Sequence, residues 1–505
     1  MTFPAPSIEY AQLSPMLIVF GAATVGVLIE AVLPARQRYR AQLAVSFAAL
    51  SLAFGAVLLL SGHLGSAVMG SVMVDGVSLF TQGAVLLVGL AGLVPIAERR
   101  LAMFTPQGAT VPGSADEQQA ATDGSLQTEI FPLLLLTIGG LLLFPAASDL
   151  LTIFVALEVL SLPMYLLCGL ARHRRLLSHE AALKYFLLGA FSSALFLYGI
   201  VLLYGYAGTL TLTGIARAVG DHGVTSLVVG GTGLLTAGLL FKVGAVPFHS
   251  WVPDVYQGAP TPVIGLMAAA TKIAAFGAML RFFYVAAPGL TAIWRPVLWS
   301  IAGVSMLVAA VLTVTQTDIK RLLGYSAIAN VGFLLLGVSG TAAGLSSTLF
   351  YLVTYGVSTL GVFTVASMIR RRDGDEETDT STWDGLGRRS GAAAMTLAVF
   401  LLALAGIPLT SGFIGKFTIF ASALADGGSA LVIIGALSSA ITAFAYARVI
   451  VTMFFHEPTS QTPTVNRPSR STTAVVAVAL AATVLVGIAP QPLFDVIAHA
   501  GQFLG

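Results

Sequence analysis

Apolar runs of about 20 residues recur from end to end of this chain, each long enough to cross the ~30 Å hydrocarbon layer of a bilayer. They fall at 13–34, 41–61, 78–97, 130–148, 150–171, 181–207, 225–248, 260–285, 293–315, 321–340, 342–369, 391–424, 429–455 and 472–490. Lipid offers an open backbone no hydrogen-bond partner, so each run is expected to be a helix. The sequence thus predicts an all-α polytopic membrane protein with about fourteen transmembrane helices. Only 10% of its residues are charged, against about 25% in soluble domains, which excludes a water-soluble fold. The start of the chain, Met1–Leu13, carries no Lys or Arg, so the first run reads as a retained helix rather than a signal peptide.

Orientation follows from the basic residues. Alternate connections carry Arg36, Arg38 and Arg40; Arg99 and Arg100; Arg172, Arg174 and Arg175; Lys320 and Arg321; Arg370, Arg371, Arg372, Arg388 and Arg389; and Arg467 and Arg470. The opposite connections are assigned only Arg217, Arg281 and Arg295. The asymmetry predicts both termini on the non-cytoplasmic side. Two long polar connections, 99–128 and 370–390, then lie on the cytoplasmic side and read as mobile solvated loops, with docking of another subunit as the alternative.

An internal repeat is present. Gly244-Ala-Val-Pro-Phe-His-Ser250 in the seventh run is similar to Ala405-Gly-Ile-Pro-Leu-Thr-Ser411 in the twelfth. Tyr185 and Ser192 are spaced as Tyr351 and Ser358 are. The two units are five runs apart, an odd number, so they cross the membrane in opposite directions, as in inverted-repeat transporters. Proline removes a helical hydrogen bond and clashes with the preceding turn, so each matched helix is expected to break near mid-membrane. This divides the chain into helices 1–3 with their loop (1–128), a first repeat of helices 4–8 (129–290), an inverted second repeat of helices 9–13 (291–456) and a last helix (457–505).

The most informative residues are charges inside the runs. A charged group at the bilayer centre costs about 2.5–3.5 kcal/mol by insertion scales, yet Glu158, Lys184, Lys242, Lys272 and Lys416 all lie within apolar stretches. They must face one another, the protein interior or water. Snorkelling or a structural ion pair is the alternative for any one of them and suits Lys184 best. Burial disfavours the ammonium form while a nearby carboxylate favours it, so a lysine near Glu158 is a site that can load and release a proton. His249, soon after Lys242, is a candidate relay or a structural histidine. Glu30 and Arg448 lie near run ends and read as structural. Thr410 stands where a phosphate-binding loop needs glycine, and Phe417 follows Gly415-Lys416, so that motif is absent. With one cysteine, Cys168, neither disulfides nor thiolate iron–sulfur ligation is expected in this chain.

These residues also carry a resemblance. FKVGAVPFHSWVPDVYQGAPTPV (241–263), TKIAAFGAMLRFF (271–283), LEVLSLPMYLL (157–167), EAALKYFLLGAFSSALFLYG (180–199), QTDIKRLLGYSAIANVGF (316–333) and GIPLTSGFIGKF (406–417) resemble the antiporter-like membrane-arm subunits of respiratory complex I. Within that family TKIAAF and the lysine at 416 are similar to the N-type branch. The resemblance implies a proton-translocating subunit of an NADH–quinone oxidoreductase in a bacterial plasma membrane. It implies a responsive pair at Glu158 and Lys242, modulated by Lys184, a central relay at Lys272 with His249 nearby, and an exit-side lysine at Lys416. Partners implied are the lipid bilayer and other membrane subunits, M and K among them. FMN, iron–sulfur clusters, NADH and quinone would belong to other chains, and no cofactor, metal or nucleic acid to this one. A subunit of a multi-subunit Na+/H+ antiporter is the main alternative, and a structural spacer the third.

Overall fold

The computed structural model describes the chain except residues 1–7, 102, 105–110, 112–113, 117–118, 120–126, 173–174, 372–373, 502 and 505. Most of the 99–128 connection therefore lies outside the described residues. The main helices are α1 (Ser14–Val32), α2 (Ala35–Leu60), α3 (Gly76–Ile96), α4 (Ile130–Leu143), α5 (Leu150–Cys168), α6 (Arg175–Ala207), α7 (Leu212–His222), α8 (Ser226–Val243) and α9 (Trp251–Gly258). They continue with α10 (Thr261–Ala286), α11 (Thr291–Val314), α12 (Ile319–Gly337), α13 (Ala342–Ala366), α14 (Gly391–Ala405), α15 (Ser411–Ala425), α16 (Ser429–Phe455), α17 (Arg470–Ile488) and α18 (Gln491–Ala500). Every expected apolar run contains helix. Among the described residues twelve helices are long and apolar enough to span a membrane; α4, α14 and α15 are apolar but shorter.

Two small antiparallel ribbons close loops at opposite ends: Gly65–Ala67 with Val72–Val74, and Ile369–Arg370 with Thr464–Val465. The second belongs to the arginine-rich end. Between α6 and α8 in the chain, the amphipathic α7 buries Leu212, Ile215 and Val219.

Burial sorts the helices into a centre and a ring. The most apolar stretch of α10 is wholly buried by protein, and those of α12 and α13 are 89% buried, against 22% for α17. A helix that is apolar all round is enclosed by protein or faces lipid. Here α10, α12 and α13 are enclosed, while α16 and α17 face outward. Lys272 sits on α10, so it has no lipid edge along which to snorkel.

One charge placed in a connection by the sequence belongs elsewhere. Arg281 is fully buried inside α10 and pairs with the equally buried Asp75, the N-cap of α3, with both carboxylate oxygens at 2.8 Å. It also donates to the Pro145 carbonyl at 2.7 Å and the Ser78 hydroxyl at 2.7 Å. The apolar run around Arg281 is followed directly by a turn, which made the residue look terminal. In the fold, α3 and the chain end cover that terminus, with the Leu504 amide donating to Asp75 at 3.1 Å.

The 370–390 connection also differs from the solvated loop expected. The Ile319 amide donates to the Thr378 carbonyl at 2.8 Å, Thr380 to Thr317 at 2.9 Å, and the Thr261 hydroxyl to Glu376 at 2.9 Å. Its described part is thus folded onto the starts of α10 and α12. Its acidic side chains have work there: Glu376 lies 3.8 Å from Lys320, and Glu377 pairs with Arg371 at 2.6 Å.

Near the same end, Glu98 joins α3 to α17 by accepting from the Ser469 amide at 2.7 Å and the Thr472 hydroxyl at 2.9 Å. Burial pushes its carboxyl up, but these bonds outweigh burial and hold it below the ordinary carboxylate range. Glu30 and Arg448 are held locally as the sequence suggested. Glu30 accepts from Gln42 at 2.6 Å and Thr128 at 2.9 Å, and Arg448 donates to the Gln316 carbonyl at 2.6 Å.

Removing one partner of a buried ion pair costs about 3–5 kcal/mol because the other charge is stranded. Asp75→Ala is therefore expected to lower the thermal stability of the detergent-extracted protein by an amount of that order. The double variant Asp75→Leu/Arg281→Met, which removes both charges, is expected to recover most of the loss. Equal losses in the two proteins would show that the pair contributes nothing specific.

Candidate functional site

The helix breaks come first, because they position the lysines. Helix α8 ends at Gly244, which has φ +79°, and α14 ends at Gly406, with φ +84°. Both are left-handed positions that a side chain disfavours and glycine accepts. The closing hydrogen bonds match as well. Gly244 donates to Leu240 and Phe241 and Ala245 to Leu240, while Gly406 donates to Leu402 and Ala403 and Ile407 to Leu402. Each is a Schellman-type closure, so the two similar sequences give the same local ending.

A broken helix leaves carbonyls without donors, and the two breaks supply them differently. At the first, the Trp251 indole donates to the Phe241 carbonyl at 3.1 Å. At the second, Lys416 on α15 reaches back to the Leu404 and Ala405 carbonyls of α14 at 3.0 and 2.9 Å. Its ammonium thus sits on the negative end of a half-helix, 3.1 Å from the Ser439 hydroxyl and over the Phe333 ring.

Lys242, in the last turn of α8, donates to the Ser161 hydroxyl of α5 at 2.7 Å and to Tyr185 of α6 at 3.4 Å. Glu158, one turn before Ser161, accepts from Ser193. Glu158 and Lys242 make no ion pair within 4.0 Å, but Ser161, Ser193 and Lys242 line one small cavity of about 10 Å³, room for about one water. Lys242 and its Ser161 partner thus line the cavity directly, while Glu158 lies outside the lining and meets it through the Ser193 hydroxyl.

Lys272 follows a π-helical turn, Met267–Thr271, a feature frequent at functional sites. It donates to the Ala327 carbonyl of α12 at 3.0 Å and to Tyr355 of α13 at 3.4 Å. Tyr355 adjoins Tyr351, whose hydroxyl donates to Asn330. Asn330 donates to the Ser326 carbonyl at 2.8 Å, and Tyr446 to the Ser326 hydroxyl. Gly415, beside Lys416, leaves the space that the Tyr351 ring occupies. Buried polar groups are therefore strung from Lys272 toward the second break, with the step from Tyr355 to Tyr351 made by ring packing.

Lys242, Lys272 and Lys416 share one arrangement. Each has an acceptor oxygen (Ser161, whose own proton goes to the Leu157 carbonyl; Ala327; Leu404 and Ala405) and a second hydroxyl (Tyr185, Tyr355 or Ser439). An ammonium only donates, whereas a hydroxyl either accepts or donates. By rotating its proton, the second hydroxyl satisfies the ammonium as acceptor and the neutral amine as donor. Each site can thus hold both protonation states without stranding a buried polar atom.

Two expected members stand apart. Lys184 pairs with Glu180 and Asp254, both at 2.7 Å, and Asp254 also holds Arg321 at 2.7 Å. It belongs to a charged cluster and does not contact Glu158. His249 lies in the link between α8 and α9 with its Nδ1 buried and unpartnered. Sequence reasoning missed Ser161, Ser193, Asp254, Ser326, Asn330, Tyr355 and Tyr446. Only Ser161 had a visible signal, lying one helical turn from Glu158.

The family described as "NADH:quinone oxidoreductase/Mrp antiporter, TM" matches residues 147–442. The chain is 56% identical to the NADH-quinone oxidoreductase subunit N of Rhodococcus opacus, covering 99% of this chain and 97% of that one. It is 53% identical to the subunit N of Mycobacterium tuberculosis over the full length of both. A chain of respiratory complex I from Thermus thermophilus with bound aureothin superposes with TM-score 0.78 at 32% identity, covering 97% of this chain and all of that one. A chain of the Mrp complex from Dietzia superposes with TM-score 0.82 at 21% identity, covering 98% and 97% of the two chains. The Mrp likeness concerns the fold alone.

Left-handed backbone costs a residue with a side chain about 1–2 kcal/mol, and a Cβ at Gly406 would lie 2.9 Å from Lys416 Cδ. Gly406→Ala is therefore expected to destabilise the protein by at least that amount. Gly205→Ala, in α6 with nothing within 4 Å of the added carbon, is expected to be neutral or stabilising. Thermal unfolding of the two variants side by side checks the comparison, and a neutral Gly406→Ala would remove the constraint assigned to the break.

Proposed function

Because the chain belongs to the NADH:quinone oxidoreductase/Mrp antiporter family, in its subunit N branch, we propose that its proton path consists of the Glu158–Lys242 pocket, Lys272 and Lys416. The chain is a multi-pass, proton-translocating membrane subunit of NADH–quinone oxidoreductase, an enzyme complex. The observation that carries the path is the arrangement of the lysines. Three ammonium groups are buried with hydroxyl partners and, among the described residues, without a carboxylate in ion-pair range. A fixed ion pair would hold each site charged, whereas a reversible hydroxyl leaves it free to change state.

The switch is the first pocket. A carboxylate near an ammonium favours the charged form, so an ionised Glu158 supports a proton on Lys242 across the intervening hydroxyls. When another charge draws on Glu158 or neutralises it, that support falls and the proton is released to the next acceptor. Glu158 is only partly buried and borders the outward stripe of α5 formed by Leu151, Val155, Leu162 and Leu166. A neighbouring membrane subunit packed there, M or K, would act directly on it. Lys272 and the Tyr355–Tyr351–Asn330 chain carry the change toward Lys416. His249, at the link beside Lys242, offers a side path, and the Lys184 cluster tunes the field from the arginine-rich end.

In this reading the arginine-rich end faces the cytoplasm of a bacterial cell, and both termini lie across the plasma membrane. Partner chains hold FMN, iron–sulfur clusters, NADH and quinone, and this chain contributes no redox step of its own. A sodium-carrying subunit of the Mrp type is the rival. Sodium requires several hard oxygen ligands, and the three buried lysines compete with a cation along the same axis.

Removing a group that must accept a proton costs about 10²-fold in the step it serves. Lys242→Ala and Glu158→Ala are expected to leave an assembled complex whose NADH-driven proton pumping into inverted vesicles is largely lost. Ser161→Asp is expected to fail equally, since it gives Lys242 a fixed counter-ion. Undiminished protons per NADH in an assembled Lys242→Ala complex would overturn the path, and pumping that requires sodium would favour the rival.

A further inference from the structure

Beyond the proton path, an apolar groove of about 560 Å³ lies at the arginine-poor end between α2, α3 and α18. Its walls are Phe54, Val57 and Leu58 of α2 and Leu79, Phe80 and Leu87 of α3. Gly83 keeps it open: a Cβ there would meet nothing nearer than 3.8 Å. Leu58 and Leu87 are more than half exposed along it. A trough of this kind at membrane depth accepts one elongated hydrocarbon chain.

The mouth says what the chain is attached to. Helix α18 carries Gln491, Asp495 and His499 at four-residue intervals, one stripe of an interfacial amphipathic helix. Asp495 and His499 stand at the groove, both exposed. Gln491 donates to Asp495 Oδ1 at 2.8 Å, leaving Oδ2 open. His499 Nδ1 faces the Asp495 carbonyl at 2.6 Å. A carbonyl only accepts, so Nδ1 carries the proton, and Nε2 of the neutral ring is an acceptor. The mouth therefore presents two acceptors, one of them anionic, directly above an apolar trough.

We propose that this groove binds a phospholipid, with one acyl chain along α3 and a head group bearing N–H donors on Asp495 and His499. Phosphatidylethanolamine has that head: a cation with three N–H donors. Phosphatidylcholine keeps the positive charge but has no N–H, and phosphatidylglycerol is anionic. The site selects among them by hydrogen bonding as well as charge.

The test uses the intact complex with the photoreactive residue p-benzoylphenylalanine in place of Leu87, reconstituted in vesicles of equal phosphatidylethanolamine, phosphatidylcholine and phosphatidylglycerol. After irradiation, mass spectrometry identifies what is joined to position 87. The expected result is a phosphatidylethanolamine adduct in about tenfold excess over either competitor, the preference that two extra hydrogen bonds support. Asp495→Leu combined with His499→Leu should bring the three lipids to near parity, and Gly83→Trp, which fills the trough, should lower total lipid adduct. Should Gly83→Trp fail to assemble, the head-group variant still decides. Equal labelling by the three lipids, an unchanged preference in the head-group variant, undiminished adduct in an assembled Gly83→Trp complex, or an adduct to a polypeptide would each overturn the proposal. The last outcome would mark the groove as a seat for a partner helix.

Discussion

An ammonium group enclosed by protein at membrane depth has to be answered by fixed oxygen atoms, and the rest of this architecture follows from how those oxygens are supplied. Water cannot do it freely, and a carboxylate in contact would do it too well. The fold uses peptide carbonyls and hydroxyls. Lys272 takes one from α12 and one from α13, so the two helices that enclose α10 also supply its oxygens. Lys242 ties α8 to α5 and α6. Lys416 ties α15 to α14 and α16. The lysines are thus structural joints as well as sites, and a variant that removes one has to be checked for assembly before its loss of activity is read.

The two breaks show how a repeated sequence gives a repeated backbone with different chemistry. Gly244 and Gly406 end their helices with the same hydrogen bonds. The lysine, however, precedes the break in the first half and follows it in the second. In the first half it turns away from the break to hydroxyls beside Glu158. In the second it turns back onto the carbonyls the break exposes. Tyr185 and Tyr351 share a sequence spacing to Ser192 and Ser358, yet one meets Lys242 and the other Asn330. Asparagine does not titrate, so the tyrosine of the second half is held by a fixed partner.

The fold was legible because apolar runs in a membrane have few alternatives to helix, and their positions hold along the chain. The charged sites stood out for the same reason: Glu158, Lys242, Lys272 and Lys416 are rare types in such runs, and all four lie at buried polar positions or border one. Arg281 was misplaced because sequence shows where a run stops but not what covers its end. Tyr355, Asn330 and Tyr446 were invisible, since Tyr, Asn and Ser occur throughout membrane helices and only packing shows which of them meet a lysine. The 370–390 connection, with its acidic run ending in Asp379, read as solvated from its composition. Its partners, Thr261, Lys320 and Ile319, come from distant helix starts that no local pattern announces.

The absence of close counter-ions bears on why a route of this kind responds to a remote event at all. A lysine locked to a carboxylate at 2.7 Å, as Lys184 is to Asp254, is insensitive to modest changes in field, because its partner's attraction dominates. Among the described residues no carboxylate lies within 4.0 Å of Lys242, and in the proposed path Glu158 acts on it by way of the Ser193 and Ser161 hydroxyls. Charges exert their influence over longer distances where the surroundings are poorly polarisable, so the proposed path has a shift at the edge of α5 reach Lys242 with little screening. Sensitivity and insulation therefore come from one feature. The bundle encloses the lysines in protein, and in the proposed path the same enclosure is what lets a distant charge decide which of them holds the proton.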